Sequence, residues 1–191
     1  MNCSNCIHSV ECNKMVKKPY SRLRRCTNCL LNVFANEIKD KKANLLEIGF
    51  GANRVTGRQI MRLSNQGIKW FGIDPKWDNH PEERIYNGTC AKMLFDDNSF
   101  DYVIAVNSME HWGNYDAYEQ CMKEILRVVD TGGQLYVLVP MASHGCKPFI
   151  NDDIEGVRAL FKEWCYVDMR CWRNDLDEKD KEYMLEIMAI K

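Results

Sequence analysis

Short apolar runs alternate with amphipathic stretches along most of the chain, which is the pattern of an α/β protein. Each apolar run is of strand length and predicts a buried strand. The predicted strands lie near residues 44–48, 68–74, 84–87, 102–106, 134–139, 166–172 and 183–189. Stretches with helical spacing of apolar residues predict helices over about 20–40, from Val55 to before Gly67, over 115–129 and over 154–164.

Turn and capping residues mark several boundaries between these elements. Asn114 is suited to cap the helix that starts at Tyr115, and the run Asp130–Gly133 predicts where that helix stops. Pro75 and Pro81 bound a loop with room for only a short helix or none. The charged run 175–182 separates the last two strands and predicts a closing hairpin.

The first two strands end in residues that favour a nucleoside ligand. Strand one runs into Gly49-Phe50-Gly51, and Asp74 closes strand two, 23 residues after Gly51. Glycine lets backbone approach a ligand closely because it has no Cβ. A carboxylate at the end of the second strand is suited to accept both ribose hydroxyls. Singly, each residue also fits an ordinary tight turn or loop carboxylate.

The glycine turn differs from a dinucleotide-binding turn. That class uses G-x-G-x-x-G, with the pyrophosphate at the following helix N-terminus. Here the third glycine is missing, and Glu47 precedes the turn. A carboxylate beside the cleft would repel a pyrophosphate and attract an ammonium or sulfonium ligand. The sequence therefore disfavours a nicotinamide oxidoreductase.

Four segments in order resemble the motifs of class I S-adenosylmethionine (SAM)-dependent methyltransferases. The resemblance is closest to small members with Ser-Phe-Asp before the fourth strand and Glu-His after it. It covers residues 43–140 clearly and 141–190 weakly. The segments are Glu47–Gly51, Phe71–Asp74, Ser99–Trp112 and Glu124–Pro140.

The resemblance implies a Rossmann-like fold: a seven-stranded, mostly parallel sheet with helices on both faces. The last strand would insert antiparallel between strands five and six. It also implies SAM as the cofactor. Because the sulfonium of SAM already activates the methyl group, the reaction requires no strong catalytic base. The implied cofactor-binding residues are Glu47, Gly49, Gly51, Asp74, Thr89, Cys90 and Asn107.

Each of those residues has a role in the resemblance. Gly49 and Gly51 would pass under the methionine and ribose parts, and Glu47 would orient the turn or meet the amino group through water. Thr89 and Cys90 would flank the adenine, with the Cys90 N–H as donor. Asn107 would lie near the methionine end. The chain departs from the family at Asn53, where many members have glycine, and at Thr89, where an acidic residue is common.

His111 is the candidate catalytic residue, just beyond the fourth strand. An imidazole has an unperturbed pKa of about 6.5 and suits removal of a proton from an acceptor. The alternative is that His111 hydrogen-bonds Glu110 or packs against Trp112. Trp77 and Trp112 would line an acceptor pocket; the alternative is that their rings only pack against other side chains.

The N-terminal cysteines indicate a second candidate site, for a metal ion. Two C-x2-C pairs separated by 19 residues match a four-thiolate zinc site, and an iron–sulfur cluster uses the same ligands. The alternative is a set of free thiols. The candidate metal ligands are Cys3, Cys6, Cys12, Cys26 and Cys29.

Charge and length define the domain prediction. The 191 residues, 46% of them hydrophobic, fit one α/β domain over 43–191 with a basic, cysteine-rich extension over 1–42. The extension carries a net charge of +6 and the remainder −7, so the arm either meets an anionic partner or is simply a solvated face. No apolar stretch approaches the ~20 residues of a membrane span. We expect a cytoplasmic protein with mostly reduced cysteines.

These observations predict a methyltransferase that moves a methyl group to an oxygen, nitrogen or carbon of an acceptor. The acceptor is a small metabolite, RNA or protein. The alternative function is a non-catalytic module that binds SAM or scaffolds a partner through the cysteine-rich arm.

Overall fold

A computed structural model of the chain describes residues 31–52, 55–63, 67–140, 154–174 and 182–191. Its strands are β1 (Ala43–Ile48), β2 (Ile68–Ile73), β3 (Ile85–Tyr86), β4 (Phe100–Val106), β5 (Val129–Pro140), β6 (Tyr166–Asn174) and β7 (Glu182–Ile190). Its helices are α1 (residues 31–38), α2 (Val55–Leu63), α3 (Tyr115–Val128) and α4 (Ile154–Ala159), with 3-10 turns at Pro81–Glu83 and Met109–His111.

The strands form one seven-stranded sheet in the order β3-β2-β1-β4-β5-β7-β6. The pairs from β3 to β5 are parallel, and β7 runs antiparallel to both β5 and β6. The order therefore confirms the predicted Rossmann-like arrangement, including the last strand between β5 and β6. From β1 the chain adds β2 and β3 on one side, and then crosses to add β4 and β5 on the other side. Ligands bind at this switch point, between β1 and β4, in doubly wound sheets.

Alternation along the strands separates two cores, one on each face of the sheet. On β1, Leu45 faces the core covered by α1 and α2, and Leu46 faces the core covered by α3 and α4. In the first core the Phe34 ring of α1 stacks on Tyr136, with centroids 4.9 Å apart. Residues 31–38, the end of the helix predicted over 20–40, thus pack directly on the sheet.

Asp101 and Asn114 each stabilise the start of a strand or a helix. The Asp101 carboxylate of the Ser-Phe-Asp motif accepts a hydrogen bond from the backbone N–H of Asn44, at 2.8 Å. It thereby ties the start of β1 to β4. Asn114 caps α3 as predicted, because its side-chain oxygen accepts from the N–H of Ala117 at 3.1 Å.

Helix α3 ends at Val128, next to the run Asp130–Gly133 that predicts its end, but β5 starts before the predicted Gln134. Asp130–Gly133 do not form a turn before the strand but belong to β5 itself, in an irregular stretch where the register against β4 shifts. Gly132 has φ +78°, and a Cβ on Gly133 would lie 3.0 Å from the Asp101 carbonyl oxygen. The two glycines therefore allow the chain to bulge and still pair with β4.

The connection from β2 to β3 is short, as the prolines predict: a loop followed by the 3-10 turn at Pro81–Glu83. A short connection keeps the end of β2 open toward the ligand edge of the sheet. Among the helices that the structure describes, none is long and apolar enough to cross a membrane.

Candidate functional site

The turn after β1 is built from two glycines in the left-handed region. Gly49 has φ +69° and Gly51 φ +63°, a conformation that other residues adopt at a cost. A Cβ on Gly49 would lie 2.6 Å from the Ser108 hydroxyl oxygen, whereas a Cβ on Gly51 would meet nothing within 4 Å. Gly49 thus lets the ends of β1 and β4 meet, and Gly51 leaves open space at the ligand edge.

Asp74 links that turn to the end of β2. Its side chain is buried, and Oδ2 accepts the backbone N–H of Gly51 at 2.9 Å. Oδ1 accepts the backbone N–H of Lys76, also at 2.9 Å. Each carboxylate oxygen has a second lone pair. Asp74 therefore organises two turns and retains acceptor capacity on the side that faces the cleft.

Aromatic rings support the turn from behind. The buried Phe50 packs edge-on against Trp70, with ring centroids 5.6 Å apart, and in a tilted arrangement against Trp77, with centroids 5.4 Å apart. The Trp77 indole N–H donates to the carbonyl oxygen of Gly51 at 3.2 Å. Trp77, considered above as a wall of the acceptor pocket, thus contacts the glycine turn, and it does not line the cleft.

Glu47 lies behind the turn and does not line the cleft. It is 2% exposed, and its Oε2 accepts the indole N–H of Trp70 at 2.8 Å. Burial raises the pKa of Glu47 to about 7, while hydrogen bonds from Trp70, Gly57 and Thr56 oppose that rise. The structure therefore places Glu47 where it joins β1, β2 and α2, and orients the turn from within the protein.

A cleft of about 460 Å³ opens at the carboxyl ends of β1, β2 and β4. The sequence-predicted residues that line it are Gly49, Gly51, Asp74, Thr89, Cys90, Asn107 and His111. Other cleft residues include Ser108, Trp112 and Cys121. Seven of the eight predicted cofactor and catalytic residues thus converge on one cavity, and Glu47 is the exception.

The side of the cleft formed by Thr89 and Cys90 belongs to a segment that rests on α3. Three side chains of α3 hydrogen-bond to the backbone of that segment at Ala91, Met93 and Phe95. They are Gln120, Glu124 and Arg127. Cys90 and Cys121 are joined by a disulfide bond, 31 residues apart in sequence. Both are buried, and both line the cleft. This bond is an exception to the expectation of reduced cysteines.

The opposite end of the cleft is formed by the residues after β4. Asn107 has φ +49°, which turns the chain sharply at the strand end. The buried Ser108 hydroxyl accepts the indole N–H of Trp112 at 3.1 Å and fixes that ring at the cleft. His111 is exposed at the cleft, in the 3-10 turn.

Glu110, in the same 3-10 turn, has a buried carboxylate oxygen. Its Oε2 is buried and accepts no hydrogen bond from the residues that the structure describes. Burial raises the pKa of Glu110 to about 7, and the carboxylate in turn contributes to the raised pKa of Tyr118.

The candidate metal ligands Cys3, Cys6, Cys12, Cys26 and Cys29 lie outside the described residues. Within the described ranges there is no group of three or more His, Cys, Asp or Glu side chains placed to hold a metal ion.

Sequence reasoning missed Ser108 and Cys121 as cleft residues. Ser108 follows Asn107 directly, but nothing local to it indicates that Gly49, in the turn after β1, packs on its side chain. Cys121 lies within a helix pattern, where its spacing predicts only a core position. The contact of either residue with the cleft depends on the packing of elements that are distant in sequence.

Comparisons with known proteins agree with this geometry. Residues 46–137 match the family model described as a methyltransferase domain. No curated protein matches the sequence significantly. Among solved structures, the YcgJ protein of Bacillus subtilis has a TM-score of 0.64 at 13% identity, over 84% of this chain and 97% of its own.

Two further structures show what the shared fold accommodates. Phosphoethanolamine N-methyltransferase 2 of Haemonchus contortus, solved with SAM, has a TM-score of 0.60 at 14% identity, over 84% of this chain and 52% of its own. The [4+2]-cyclase SpnF has a TM-score of 0.59 at 14% identity, over 84% of this chain and 80% of its own. One fold thus serves different reactions. The described chain has a Rossmann-like fold that it shares with these solved structures, and residues 46–137 match the methyltransferase-domain model.

Proposed function

We propose that the protein is a SAM-dependent methyltransferase whose cofactor lies in the cleft at the ends of β1, β2 and β4. The observation that carries the proposal is the pairing of Gly51 with Asp74. A positive-φ glycine faces open space, and a carboxylate anchored by two backbone N–H groups stands beside it. The same turn and acid were expected from the sequence resemblance.

The residues present fit the cofactor by shape and by chemistry. The Gly49–Gly51 turn leaves room for a ligand to lie against backbone, and Asp74 has lone pairs left for the ribose hydroxyls. Thr89 and Cys90 would flank the adenine, and Asn107 would meet the methionine end. When bound, SAM supplies an electrophilic methyl group on a sulfonium.

The protein's part in the reaction is chiefly positional. Holding an acceptor atom in line with an activated donor supplies much of the acceleration in such a transfer. His111 lies at the cleft, where it would receive a proton from an acceptor hydroxyl or amine. The acceptor is an oxygen, nitrogen or carbon nucleophile of a small metabolite, an RNA or a protein.

The function is tested first by binding and then by transfer. Titration calorimetry with SAM and with its demethylated product, S-adenosylhomocysteine (SAH), should give saturable binding of both. Cell fractions incubated with methyl-labelled SAM and the protein should then yield a labelled product, and the Asp74→Ala variant serves as the control. Absence of binding by either compound would overturn the proposal.

The N-terminal cysteines support a second, separate proposal for the arm. Cys3, Cys6, Cys26 and Cys29 form two C-x2-C pairs, with Cys12 as a substitute ligand, and would hold one zinc ion. An iron–sulfur cluster is the alternative occupant of the same ligands. Such a site would stabilise a segment with few apolar residues.

A further inference from the structure

The disulfide bond between Cys90 and Cys121 lies in the wall of the proposed cofactor cleft. Cys90 belongs to the segment that follows β3, and Cys121 belongs to α3. Both side chains are buried, at 3% and 1% exposure, and both residues line the cleft. Both cysteines therefore adjoin the cleft, through which a small-molecule oxidant or reductant would reach them.

The wall segment is held at both ends by hydrogen bonds. On one side, the Asn87 side chain donates to the carbonyl oxygens of Pro75 and Trp77. On the other, Met93 donates its N–H to Glu124 and accepts from Arg127. Among the described contacts, the disulfide is the side-chain link that ties Cys90 to α3.

Reduction would change the geometry of this wall. A disulfide holds its sulfurs at about 2.05 Å. Two unbonded sulfurs must separate toward ordinary contact distances of roughly 3.5–4 Å. Hydrogen bonds hold the flanking residues Asn87, Ala91 and Met93, so we infer that the displacement falls on Gly88–Cys90, which lines the cleft.

We propose that Cys90 and Cys121 form a redox switch that couples thiol oxidation to occupancy of the cleft, an inference that rests on the proposed cofactor function. The bonded form fixes the Thr89–Cys90 wall in the position seen here, and a preorganised wall costs less to order when ligand binds. The oxidised protein therefore binds SAM and SAH more tightly than the reduced protein does.

The oxidation step needs a disulfide oxidant, and glutathione disulfide is the probe. One cysteine thiolate attacks a glutathione sulfur and releases one glutathione thiolate, which leaves a mixed disulfide. The second cysteine then attacks the protein sulfur of that mixed disulfide and releases the second glutathione. Two protein thiols lose two electrons and two protons, and one glutathione disulfide becomes two glutathiones.

Reciprocity gives the switch a second readout. If the bond raises affinity for SAH by a given factor, then SAH raises the equilibrium constant for bond formation by the same factor. At a fixed ratio of glutathione to its disulfide, saturating SAH should therefore increase the bonded fraction of Cys90 and Cys121.

The experiment uses the full chain, prepared once with dithiothreitol and once with glutathione disulfide. Differential alkylation and peptide mass spectrometry report whether Cys90 and Cys121 are joined, and calorimetry gives the Kd for SAH in each state. We expect the joined peptide in the oxidised sample and a Kd about fivefold or more lower than in the reduced sample.

Two variants separate this pair from the other cysteines. Cys121→Ser should bind SAH with a Kd that no longer depends on the redox state. Cys165→Ser removes an exposed free thiol and should keep the full dependence. A dependence that persists in Cys121→Ser would overturn the assignment to this pair.

The remaining outcomes distinguish this inference from the proposed function. Equal Kd values with the bond formed, or free Cys90 and Cys121 thiols after oxidation, would overturn the switch and leave the methyltransferase proposal standing. No SAH binding in either state would overturn the proposed function and this inference with it.

Discussion

The Asp74 carboxylate accepts the backbone N–H of Gly51 at 2.9 Å, and so joins the ends of β1 and β2 where the cleft opens. The bond explains why an acid stands 23 residues after the glycine turn. The carboxylate holds the turn through hydrogen bonds within the protein, so Asp74 contributes to local folding as well as to the proposed ligand site.

Replacement of Asp74 by Ala should weaken SAH binding at least tenfold. The change removes an anchored acceptor, and a charge-assisted hydrogen bond is worth about 1.5–3 kcal/mol. Calorimetry of the folded variant measures the effect. Asp78→Ala, an exposed acid in the same loop, is the matched control and should bind as the parent does. Unchanged binding by Asp74→Ala would show that the cofactor lies elsewhere.

Gly51→Ala should combine a modest stability loss with a marked loss of SAH binding. The left-handed φ of +63° costs a non-glycine residue roughly 1–3 kcal/mol, and the new methyl group enters the space of the cleft. Gly132→Ala imposes the same backbone strain away from the cleft, at φ +78° with nothing within 4 Å. Urea unfolding and calorimetry should show similar destabilisation in both variants and a binding defect in Gly51→Ala alone.

His111→Ala should lower turnover on the acceptor found in the labelling screen, while the Kd for SAH stays within about threefold. General-base help contributes typically 10²–10⁴-fold to a rate. Initial rates at saturating SAM measure the effect, and His80→Ala is the control because His80 is exposed and lies outside the cleft. An unchanged rate would remove His111 from proton transfer and leave packing as its role.

Glu110→Gln should stabilise the protein at pH 8 and have little effect at pH 5. Burial raises the pKa of the folded-state carboxyl to about 7, above its ordinary value of 4.5. As pH rises from 4.5 to 7, the unfolded chain loses this proton first, so the free energy of unfolding falls and then levels off above pH 7. Burial also raises the pKa of Glu47 to about 7, so Glu47 lowers the free energy of unfolding over the same pH range.

Urea unfolding at the two pH values checks the Glu110 prediction. The expected gain at pH 8 is about 1–3 kcal/mol, since one pKa unit corresponds to 1.36 kcal/mol. Glu119→Gln, on the exposed face of α3, should show no such pH-dependent gain. Equal effects of Glu110→Gln at pH 5 and pH 8 would contradict a buried, titrating carboxyl.

The purified chain of residues 1–191 should carry about one zinc ion, because paired thiolates bind zinc tightly and binding contributes directly to folding. Elemental analysis of protein expressed with zinc and iron available measures the content. The double change Cys3→Ser and Cys6→Ser should abolish it, whereas Cys165→Ser should not. Metal content near zero with all five N-terminal thiols reacting freely would reject the site.

The sequence by itself determined where most strands and helices lie and which edge of the sheet faces a ligand. Burial alternates with period two in a strand and 3.6 in a helix, so the pattern is visible locally. Gly49, Gly51 and Asp74 were readable because a turn that needs positive φ, and an acid that ends a strand, are each specified within a few residues. Asn114 was readable for the same reason, since a cap acts on its own helix.

Tertiary structure alone decided which side chains meet across the sheet. Glu47 reads as a cleft residue from its place beside Gly49, but the strand directs it inward to Trp70 of β2. Cys90 and Cys121 are separated by 31 residues and by β4, and only the packing of α3 on the sheet brings them together. Contacts of this kind depend on the relative positions of several elements, which local periodicity does not encode.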